Sequence, residues 1–281
     1  MRIGLIVPVR APAPFLDEAL RSAREQDRPP DEQAVVYDEG GDGPAPTRAA
    51  ALARLGDCDW VALLDADDAW EPGKLAAQRD AIARHPDAVV CFGRATAVGG
   101  DGRPTGERLP ELPAGPLTAS DLAPVLFESN PIPTSSALVR RDVLVRAGGF
   151  DAPAPLASDW DLWLRLLACG GEFVCEPRAR IRYRRHGGGV TADVAALAES
   201  MLKVHAAHAG LVDEDRRRRA ESRDLVLLAR GRIRQRRYRE AADVLRRADA
   251  LVPLRGRERM LRRLVALPGA RASLGRRAPY R

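Results

Sequence analysis

The chain has 281 residues, 45% of them hydrophobic, so it can bury the core of one large domain or of two modest ones. No apolar run reaches the roughly 20 residues of a membrane span, and Pro8 interrupts an N-terminal stretch too short for a signal peptide. The net charge of +6 is uneven, because residues 191–281 carry 23 Lys and Arg against 11 Asp and Glu. We therefore expect a soluble, cytoplasmic protein whose basic C-terminal part leaves peripheral contact with a membrane surface open.

Segments typical of strands and helices alternate along the first hundred residues. Short apolar runs that predict strands occupy 3–9, 33–37, 60–64 and 88–98. Apolar residues at helical spacing occupy 15–26, 46–55 and 72–84. Such alternation predicts an α/β fold, in which a mostly parallel sheet is flanked by helices.

The remaining sequence divides into a mixed part and a helical part. Residues 103–135 are rich in Pro and Gly, and we expect them to be irregular apart from a helix near 118–127. Strand and helix patterns resume over 135–189. After about residue 190 the pattern is helical throughout, with helices predicted over 225–236, 238–251 and 257–267. The sequence thus predicts one domain over 1–190 and a helical C-terminal extension over 191–281, with a tetratricopeptide-like hairpin at 228–253.

Two acidic clusters follow two of the predicted strands. Asp38 and Glu39 come directly after VVY, and Asp65, Asp67 and Asp68 come directly after WVALL. Ligands of parallel α/β sheets bind beyond the carboxyl ends of the strands, so both clusters are expected to face one crevice. Carboxylates this close repel one another, and they are costly to bury unless something neutralises them. The DADD stretch is therefore either a solvated turn or a cation-binding site.

Six stretches in order along residues 2–191 resemble the family 2 glycosyltransferases, which are inverting enzymes of the GT-A fold that use nucleotide-diphospho-sugars. They are IGLIVPV, VVYDEGG, PTRAAALARLGDCDWVALLDADDAWEPGKL, SSALVRRDVLVRAGGFD, SDWDLWLRL and YRRHGGGVT. A lone D-x-D motif occurs by chance in many proteins, whereas the ordered set is specific. The resemblance implies a Rossmann-like GT-A domain over 1–190 and a metal-dependent transferase of the hexosyltransferase type, with a nucleotide-sugar donor and an unidentified acceptor.

The resemblance also implies a divalent cation, Mg or Mn, as cofactor. The ion would be held through Asp67 or Asp68, with Asp65 close by and His186 as a third ligand near the diphosphate. It would offset the charge that develops on the departing nucleoside diphosphate. The arginines just before His186 either help to hold phosphate or face solvent. In the alternative interpretation, Asp67 and Asp68 cap the helix that begins near Pro72.

The donor contacts implied by the resemblance lie at the ends of the first strands. They are Pro8, Asp38, Glu39, Arg48, Asp65, Asp67 and His186. One acid after the second strand accepts a hydrogen bond from the nucleotide base in the family, and Glu39 stands where aspartate is usual. The first-strand proline is followed by Val9-Arg10 rather than by the usual Tyr-Asn. The alternatives are a solvated turn for the acids and a simple salt bridge for Arg48.

The catalytic base implied by the resemblance is Asp159 in SDWDLWLRL. An inverting transferase needs a carboxylate that takes the proton from the acceptor hydroxyl. Ser158 stands where the family usually has glutamate, and either Ser158 or Asp159 could instead cap a helix. Asp161 is the second candidate for the base. Trp160 and Trp163, at helical spacing, are expected to pack in the core and beside the acceptor.

Three other function classes fit the sequence less well than a transferase. A non-catalytic GT-A scaffold that interacts through its helical tail is the main alternative, because Glu39, Ser158 and a short connection between the acidic clusters depart from the family. Nucleic-acid binding is disfavoured, because the tail arginines alternate with acids and leucines and no aromatic platform accompanies them. A dinucleotide-dependent oxidoreductase lacks its G-x-G-x-x-G motif. The sequence leaves the acceptor open among a glycan, a lipid, a natural product and a peptide, and it leaves the oligomeric state open.

Overall fold

The computed structural model describes residues 1–150, 155–185 and 193–266. The chain divides into two compact units, Met1–Gly189 and Val190–Arg281. Each unit has its own hydrophobic core. None of the helices in the described ranges combines the length and the hydrophobicity of a membrane span.

One eight-stranded sheet runs through the described residues of the first unit. Its strands are β1 (Ile3–Val9), β2 (Glu32–Tyr37), β3 (Trp60–Leu63), β4 (Ala69–Trp70), β5 (Ala88–Val98), β6 (Gly115–Leu117), β7 (Leu138–Arg140) and β8 (Glu172–Arg184). The order across the sheet is β2-β1-β3-β7-β5-β8-β4, and β6 pairs with β8. The long pairings β1–β2, β1–β3 and β5–β8 are parallel, and the shorter pairings made by β4, β6 and β7 are antiparallel.

Helices flank the sheet, which confirms the predicted α/β class. They are α1 (Leu16–Arg24), α2 (Pro44–Arg54), α3 (Lys74–Arg84), α4 (Ala119–Glu128), α5 (Arg141–Arg146) and α6 (Ser158–Ala168). The central strands β1 and β3 are almost entirely buried along their length. A strand covered on both faces has to be apolar at successive positions, which is why IGLIVPV and WVAL show no alternation of apolar and polar residues.

The sequence pattern does not predict β4 and β6. The two residues of β4 directly follow the DADD stretch and pair with β8, where Ala69 lies opposite Arg182 and Trp70 opposite Ile181. Strand β6 lies in the segment expected to be irregular, and it pairs with the start of β8. Strands of two or three residues are too short to show a hydrophobic period, so only pairing with β8 creates them. The pairing of β4 attaches the DADD turn to the end of β8.

The second unit consists of four helices in the described residues, which confirms the predicted helical extension. They are α7 (Val194–Ala207), α8 (Glu214–Arg234), α9 (Tyr238–Leu251) and α10 (Gly256–Ala266). Helix α8 begins well before the predicted start near residue 225, because the Asp213 side chain accepts a hydrogen bond from the backbone N–H of Arg216 and caps it. A buried hydrogen bond between His205 and Asp224 joins α7 to α8. Gly231 lets α7 approach α8 closely, since a Cβ there would lie 2.6 Å from the backbone nitrogen of Ala195.

Candidate active site

The DADD stretch forms a tight turn that is attached to two distant parts of the chain. The backbone N–H of Asp68 donates to the carbonyl oxygen of Asp65 at 3.1 Å, which closes the turn. The Asp68 side chain is buried, and each of its oxygens accepts a hydrogen bond. Ser135 Oγ donates to Oδ2 at 2.6 Å, and the backbone N–H of Arg184 donates to Oδ1 at 2.9 Å. Asp68 is therefore both part of the acidic cluster and part of the framework that holds it.

Negative charge is concentrated at this turn. Burial raises the pKa of Asp68 well above its ordinary value, and the nearby Asp67 and Asp65 carboxylates raise it further. The hydrogen bonds from Ser135 and Arg184 lower that pKa but do not offset these effects. Asp67 is only half-buried. The close carboxyl groups repel one another, and either a proton on Asp68 or a bound cation would relieve that repulsion.

The alternative role as a helix cap is not what the structure shows. Helix α3 begins at Lys74, its N-cap residue is Gly73, and no side chain makes the cap hydrogen bond. Asp67 and Asp68 instead lie on the other side of strand β4. The two carboxylates are therefore held at the end of β3 for a reason other than capping.

Arg184 is a buried cation that holds the turn from behind. Its Nε donates to the carbonyl oxygen of Asp67 at 2.9 Å, and its Nη1 donates to that of Gly99 at 3.1 Å. Its Nη2 pairs with Glu18 of α1 at 2.7 Å, and the guanidinium lies 4.2 Å from the centre of the Phe15 ring. Arg184 is buried and its guanidinium is engaged by these protein groups, so among the arginines before His186 it does not face solvent.

Arg48 of α2 lies between Asp65 of the DADD turn and the start of α6. Its Nη2 pairs with Asp65 Oδ1 at 2.6 Å, and its Nη1 reaches Ser158 Oγ at 3.5 Å. The side chain is buried, and its Nε has no hydrogen-bond partner among the described residues. Burial alone would lower the pKa of Arg48, but the carboxylates of Asp65, Asp159 and Asp67 hold it above its ordinary value. The structure thus brings the predicted base and the predicted metal-side acids around one guanidinium.

Asp159 sits in the first turn of α6 without capping it. The N-cap residue of that helix is Ala157, which makes no side-chain cap bond. Asp159 Oδ2 accepts two hydrogen bonds, one from Asn130 Nδ2 at 2.9 Å and one from Thr134 Oγ1 at 2.8 Å. The carboxylate is half-buried, so it is oriented by the protein and still partly accessible.

Asp161, the second candidate for the base, is turned into the core. It is 1% exposed and pairs with Arg165 Nε at 2.7 Å one helical turn later. Arg165 also donates to the carbonyl oxygen of Gly149 at 2.9 Å, so the pair anchors the end of α5 to α6. Trp160 and Trp163 are buried in the core, as predicted.

The acids after β2 belong to a local turn. Asp38 accepts hydrogen bonds from the backbone N–H groups of Asp42 at 2.8 Å and Gly43 at 3.0 Å, while Glu39 is exposed. Pro8 of β1 lies opposite Val36 of β2 near the same edge of the sheet. Strands β2, β1 and β3 are parallel neighbours, so the turn after β2 lies at the same edge of the sheet as the DADD turn after β3.

His186, the predicted third metal ligand, lies outside the described residues. Among the residues that are described, no group of three His, Cys, Asp or Glu side chains is arranged to hold a metal ion. The sequence led us to expect acceptor contacts from the stretch SNPIPTSS (129–136), but it gave no individual role to Asn130, Thr134 and Ser135. Polar residues in a Pro-rich stretch are typical of any surface turn, so no local signal distinguishes them.

Part of the chain is similar in sequence to glycosyltransferases. Residues 35–146 match the family Glycosyl transferase family 2. Uncharacterized protein Rv1520 of Mycobacterium tuberculosis is 33% identical over 134 residues, which are 47% of this chain and 36% of that protein. A Mycobacterium bovis relative, Mb1547, matches to the same extent. The match therefore spans about a third of the length of these relatives.

Structural comparisons agree on the fold. S. aureus TarS 1–349 in complex with UDP gives a TM-score of 0.62 at 16% identity, over 94% of this chain and 90% of that one. Mannosyltransferase PcManGT from Pyrobaculum calidifontis, in complex with GDP-Man and Mn2+, gives 0.53 at 19% identity, over 98% and 86%. Identities this low bear on the fold alone. Residues 35–146 thus match glycosyltransferase family 2 in sequence, and the sheet and helices around them form the GT-A fold.

Proposed function

We propose that this chain is a metal-dependent, inverting glycosyltransferase that moves a sugar from a nucleotide-diphospho-sugar to an acceptor hydroxyl. The observation that supports this most is the position of Arg48. It pairs with Asp65 of the DADD turn, and its charge is stabilised by Asp159 at the start of α6. Arg48 therefore lies near two kinds of acid. Asp65 belongs to the turn that would face the departing diphosphate, and Asp159 would take the proton from the acceptor.

The acids of the DADD turn fit a divalent cation, Mg or Mn. Hard cations take oxygen ligands, and in nucleotide sites they bind one or two carboxylates and complete their coordination with substrate phosphates. A preformed cage of three side chains is therefore not required. The pKa of Asp68 is raised first by burial and then by the neighbouring Asp67 and Asp65 carboxylates, and a bound cation would counter both effects. We assign Asp67 and Asp68 as protein ligands and His186 as the third, and the ion would supply Lewis-acid stabilisation of the departing diphosphate. The Mn2+ in the PcManGT complex supports this assignment.

The donor belongs to the class of nucleotide-diphospho-sugars. TarS has been solved with UDP-GlcNAc and PcManGT with GDP-Man, so the shared fold accepts different nucleotides. Asp38 already accepts two backbone hydrogen bonds, which makes the exposed Glu39 the better partner for the base. Pro8 would border the same part of the pocket. Arg48, whose Nε is unpartnered, is placed on the sugar-diphosphate side, close to Asp65.

Asp159 is the proposed general base. It would take the proton of the acceptor hydroxyl while that oxygen bonds to the anomeric carbon and the bond from that carbon to the diphosphate oxygen breaks on the opposite face. The hydrogen bonds from Asn130 and Thr134 occupy Oδ2, which leaves Oδ1 as the oxygen that receives the proton. A partly accessible carboxylate held in one orientation suits this role.

The test has two stages. A thermal-shift panel of nucleoside diphosphates, with and without Mn, identifies the nucleotide, because a ligand that binds only the folded state raises its stability. Release of that diphosphate from the matching nucleotide-sugars is then measured for wild type, for Asp159→Asn and for Asp142→Asn. Asp142 is an exposed acid in the first turn of another helix and serves as the control.

We expect Asp159→Asn to bind nucleotide and Mn like wild type and to lower turnover by roughly 10²–10⁴-fold, the usual share of general-base catalysis. The control should keep wild-type turnover. Wild-type turnover in Asp159→Asn would reject the base. A wild-type chain that binds no nucleotide at all would favour the non-catalytic scaffold instead.

A further inference from the structure

One short segment contacts both halves of the proposed site. Residues 130–136, NPIPTSS, run between α4 and β7, and we name them the polar strap. Two prolines restrict its backbone, and Ile132, which lies between them, is buried. Its end is a 3-10 turn, in which the backbone N–H of Ser136 donates to the carbonyl oxygen of Pro133 at 2.9 Å. The strap is therefore held in one conformation before any ligand binds.

The first contacts of the polar strap are with Asp159. Asn130 Nδ2 and Thr134 Oγ1 both donate to the same carboxylate oxygen, Oδ2, at 2.9 and 2.8 Å. Two donors on one oxygen fix the plane of the carboxylate as well as its position. The other oxygen is then the one whose lone pairs remain for a substrate proton.

The next residue of the polar strap contacts the DADD turn. Ser135 is fully buried, its Oγ donates to Asp68 Oδ2 at 2.6 Å, and the same Oγ accepts from the backbone N–H of Asp65 at 3.0 Å. Trp70 Nε1 donates to the Ser135 carbonyl oxygen at 2.8 Å, which holds the strap against β4. Thr134 and Ser135 are adjacent in sequence, and their hydroxyls serve different acids.

We propose that the polar strap is the positioning device of the reaction: Asn130 and Thr134 orient the base, and Ser135 holds the metal-side acids. The inference rests on the function proposed above. Thr134 and Ser135 are joined by one peptide bond. The distance between the Asp159 carboxylate and the DADD turn is therefore limited by this short stretch of backbone. The strap thereby adds a direct link between Asp159 and the DADD turn to the packing that already places α6.

The inference predicts that neighbouring substitutions have different effects. Thr134→Val keeps the shape and removes the donor, so kcat should fall roughly 10–100-fold while Mn-dependent nucleotide affinity stays at the wild-type value. Thr134→Ser should restore kcat. Ser135→Ala should instead lower Mn-dependent nucleotide affinity roughly 10-fold.

Ser136→Ala is the matched control. Ser136 lies on the same 3-10 turn and is as buried as Ser135. Its hydroxyl donates to the carbonyl oxygen of Pro133 at 2.7 Å and not to Asp159 or Asp68. Both kcat and nucleotide affinity should stay at wild-type values in this variant. A control that lowers kcat as much as Thr134→Val would reduce the strap to a structural element and overturn the inference.

A double variant separates orientation of the base from general stability. In the Asp159→Asn background, Thr134→Val should have no further effect on turnover, because the oxygen that it orients no longer takes a proton. Additive losses would contradict the inference. If Thr134→Val does not fold, Asn130→Ala tests the second donor to the same oxygen by the same cycle. An inactive Asp159→Asn beside a fully active Thr134→Val would overturn this inference alone, whereas an active Asp159→Asn would reject the proposed base first.

Discussion

The two acidic turns at the edge of the sheet look alike in sequence and are built differently. In the DADD turn, Asp68 is bonded to Ser135 and Arg184, which are 67 and 116 positions away along the chain. In the turn after β2, Asp38 is bonded to backbone groups only 4 and 5 positions away. The first turn is thus held by tertiary contacts, and the second by its own backbone.

This difference matches the two tasks that we assign to the turns. The atoms that react must be held within fractions of an ångström, and long-range contacts from several elements provide that. A nucleotide base needs a partner but little force at the reacting centre, so a local turn suffices. The departure from the family at Glu39 falls on the local turn, where a side chain can change without disturbing the framework.

The largest effect is expected on Mn-dependent nucleotide binding, which should require the DADD turn and not the turn after β2. Asp67→Ala should abolish the gain in nucleotide affinity that Mn provides and lower turnover by roughly 10²-fold or more, because a bound cation supplies several kcal/mol of charge stabilisation. Asp38→Ala should weaken nucleotide binding equally with and without Mn. Calorimetric titration of nucleoside diphosphate with and without Mn measures both. A Mn effect that survives in Asp67→Ala would break the comparison.

The second effect concerns the framework behind the DADD turn. Arg184→Met keeps the aliphatic part of the side chain but removes one of the two partners of Glu18 and the arginine donors to the carbonyl oxygens of Asp67 and Gly99, so it should cost about 3 kcal/mol of folding free energy. Arg182 pairs with the same Glu18 but its side chain is 39% exposed, and Arg182→Met should cost less than about 1 kcal/mol.

Urea unfolding followed by tryptophan fluorescence measures the loss in the relevant unit, since all four tryptophans lie before residue 190. If the two variants lost the same folding free energy, the buried contacts of Arg184 would stabilise the fold no more than the exposed pair of Arg182 with Glu18.

The third effect is a pH dependence of the folding free energy that arises beside the DADD turn and not at the turn after β2. Lys74 is fully buried beside β4, donates to Gln78 Oε1 at 2.8 Å and lies 4.0 Å from the centre of the Trp70 ring. Burial lowers the pKa of Lys74 to about 7, although the Trp70 ring favours the charged form. The unfolded state therefore binds more protons between about pH 7 and pH 10, so this group adds stability as pH rises through that range.

Lys74→Met should remove that rise, roughly 2–3 kcal/mol between pH 7 and pH 9.5. The measurement is the difference in unfolding free energy between variant and wild type at the two pH values, again by tryptophan fluorescence. Lys203, the other lysine of the chain, is exposed in α7, and Lys203→Met should leave the slope unchanged. A wild-type slope in Lys74→Met would show that the buried amine stays protonated throughout.

The smallest effect is expected at Glu39. The side chain is exposed, so Glu39→Gln should change the folding free energy by no more than about 0.5 kcal/mol. It should weaken the binding of the identified nucleotide only a few-fold, because one hydrogen bond to the base is altered and not removed. Calorimetry at fixed Mn measures this. Loss of turnover at saturating donor would place Glu39 in the reaction itself and remove the distinction between the turns.

Local patterns in the sequence were sufficient for much of this molecule. The continuous apolar runs of β1 and β3, the helical spacing of α1 and α9 and the acids at two strand ends are all visible within short windows. Side-chain periodicity and the position of strand ends depend on neighbouring residues, so they can be read without the fold. The placement of Asp159 in the first turn of a helix was predictable for the same reason.

Other features depend on residues that meet only after folding. Strand β4 exists because β8 lies beside it, and Arg184 is buried because α1, the DADD turn and the end of β5 converge on it. The sequence by itself determined which acids the site contains. The tertiary structure decided which of them are buried, which are oriented by the polar strap and which remain in a local turn, because burial and long-range hydrogen bonds depend on distances between segments that no short window of sequence contains.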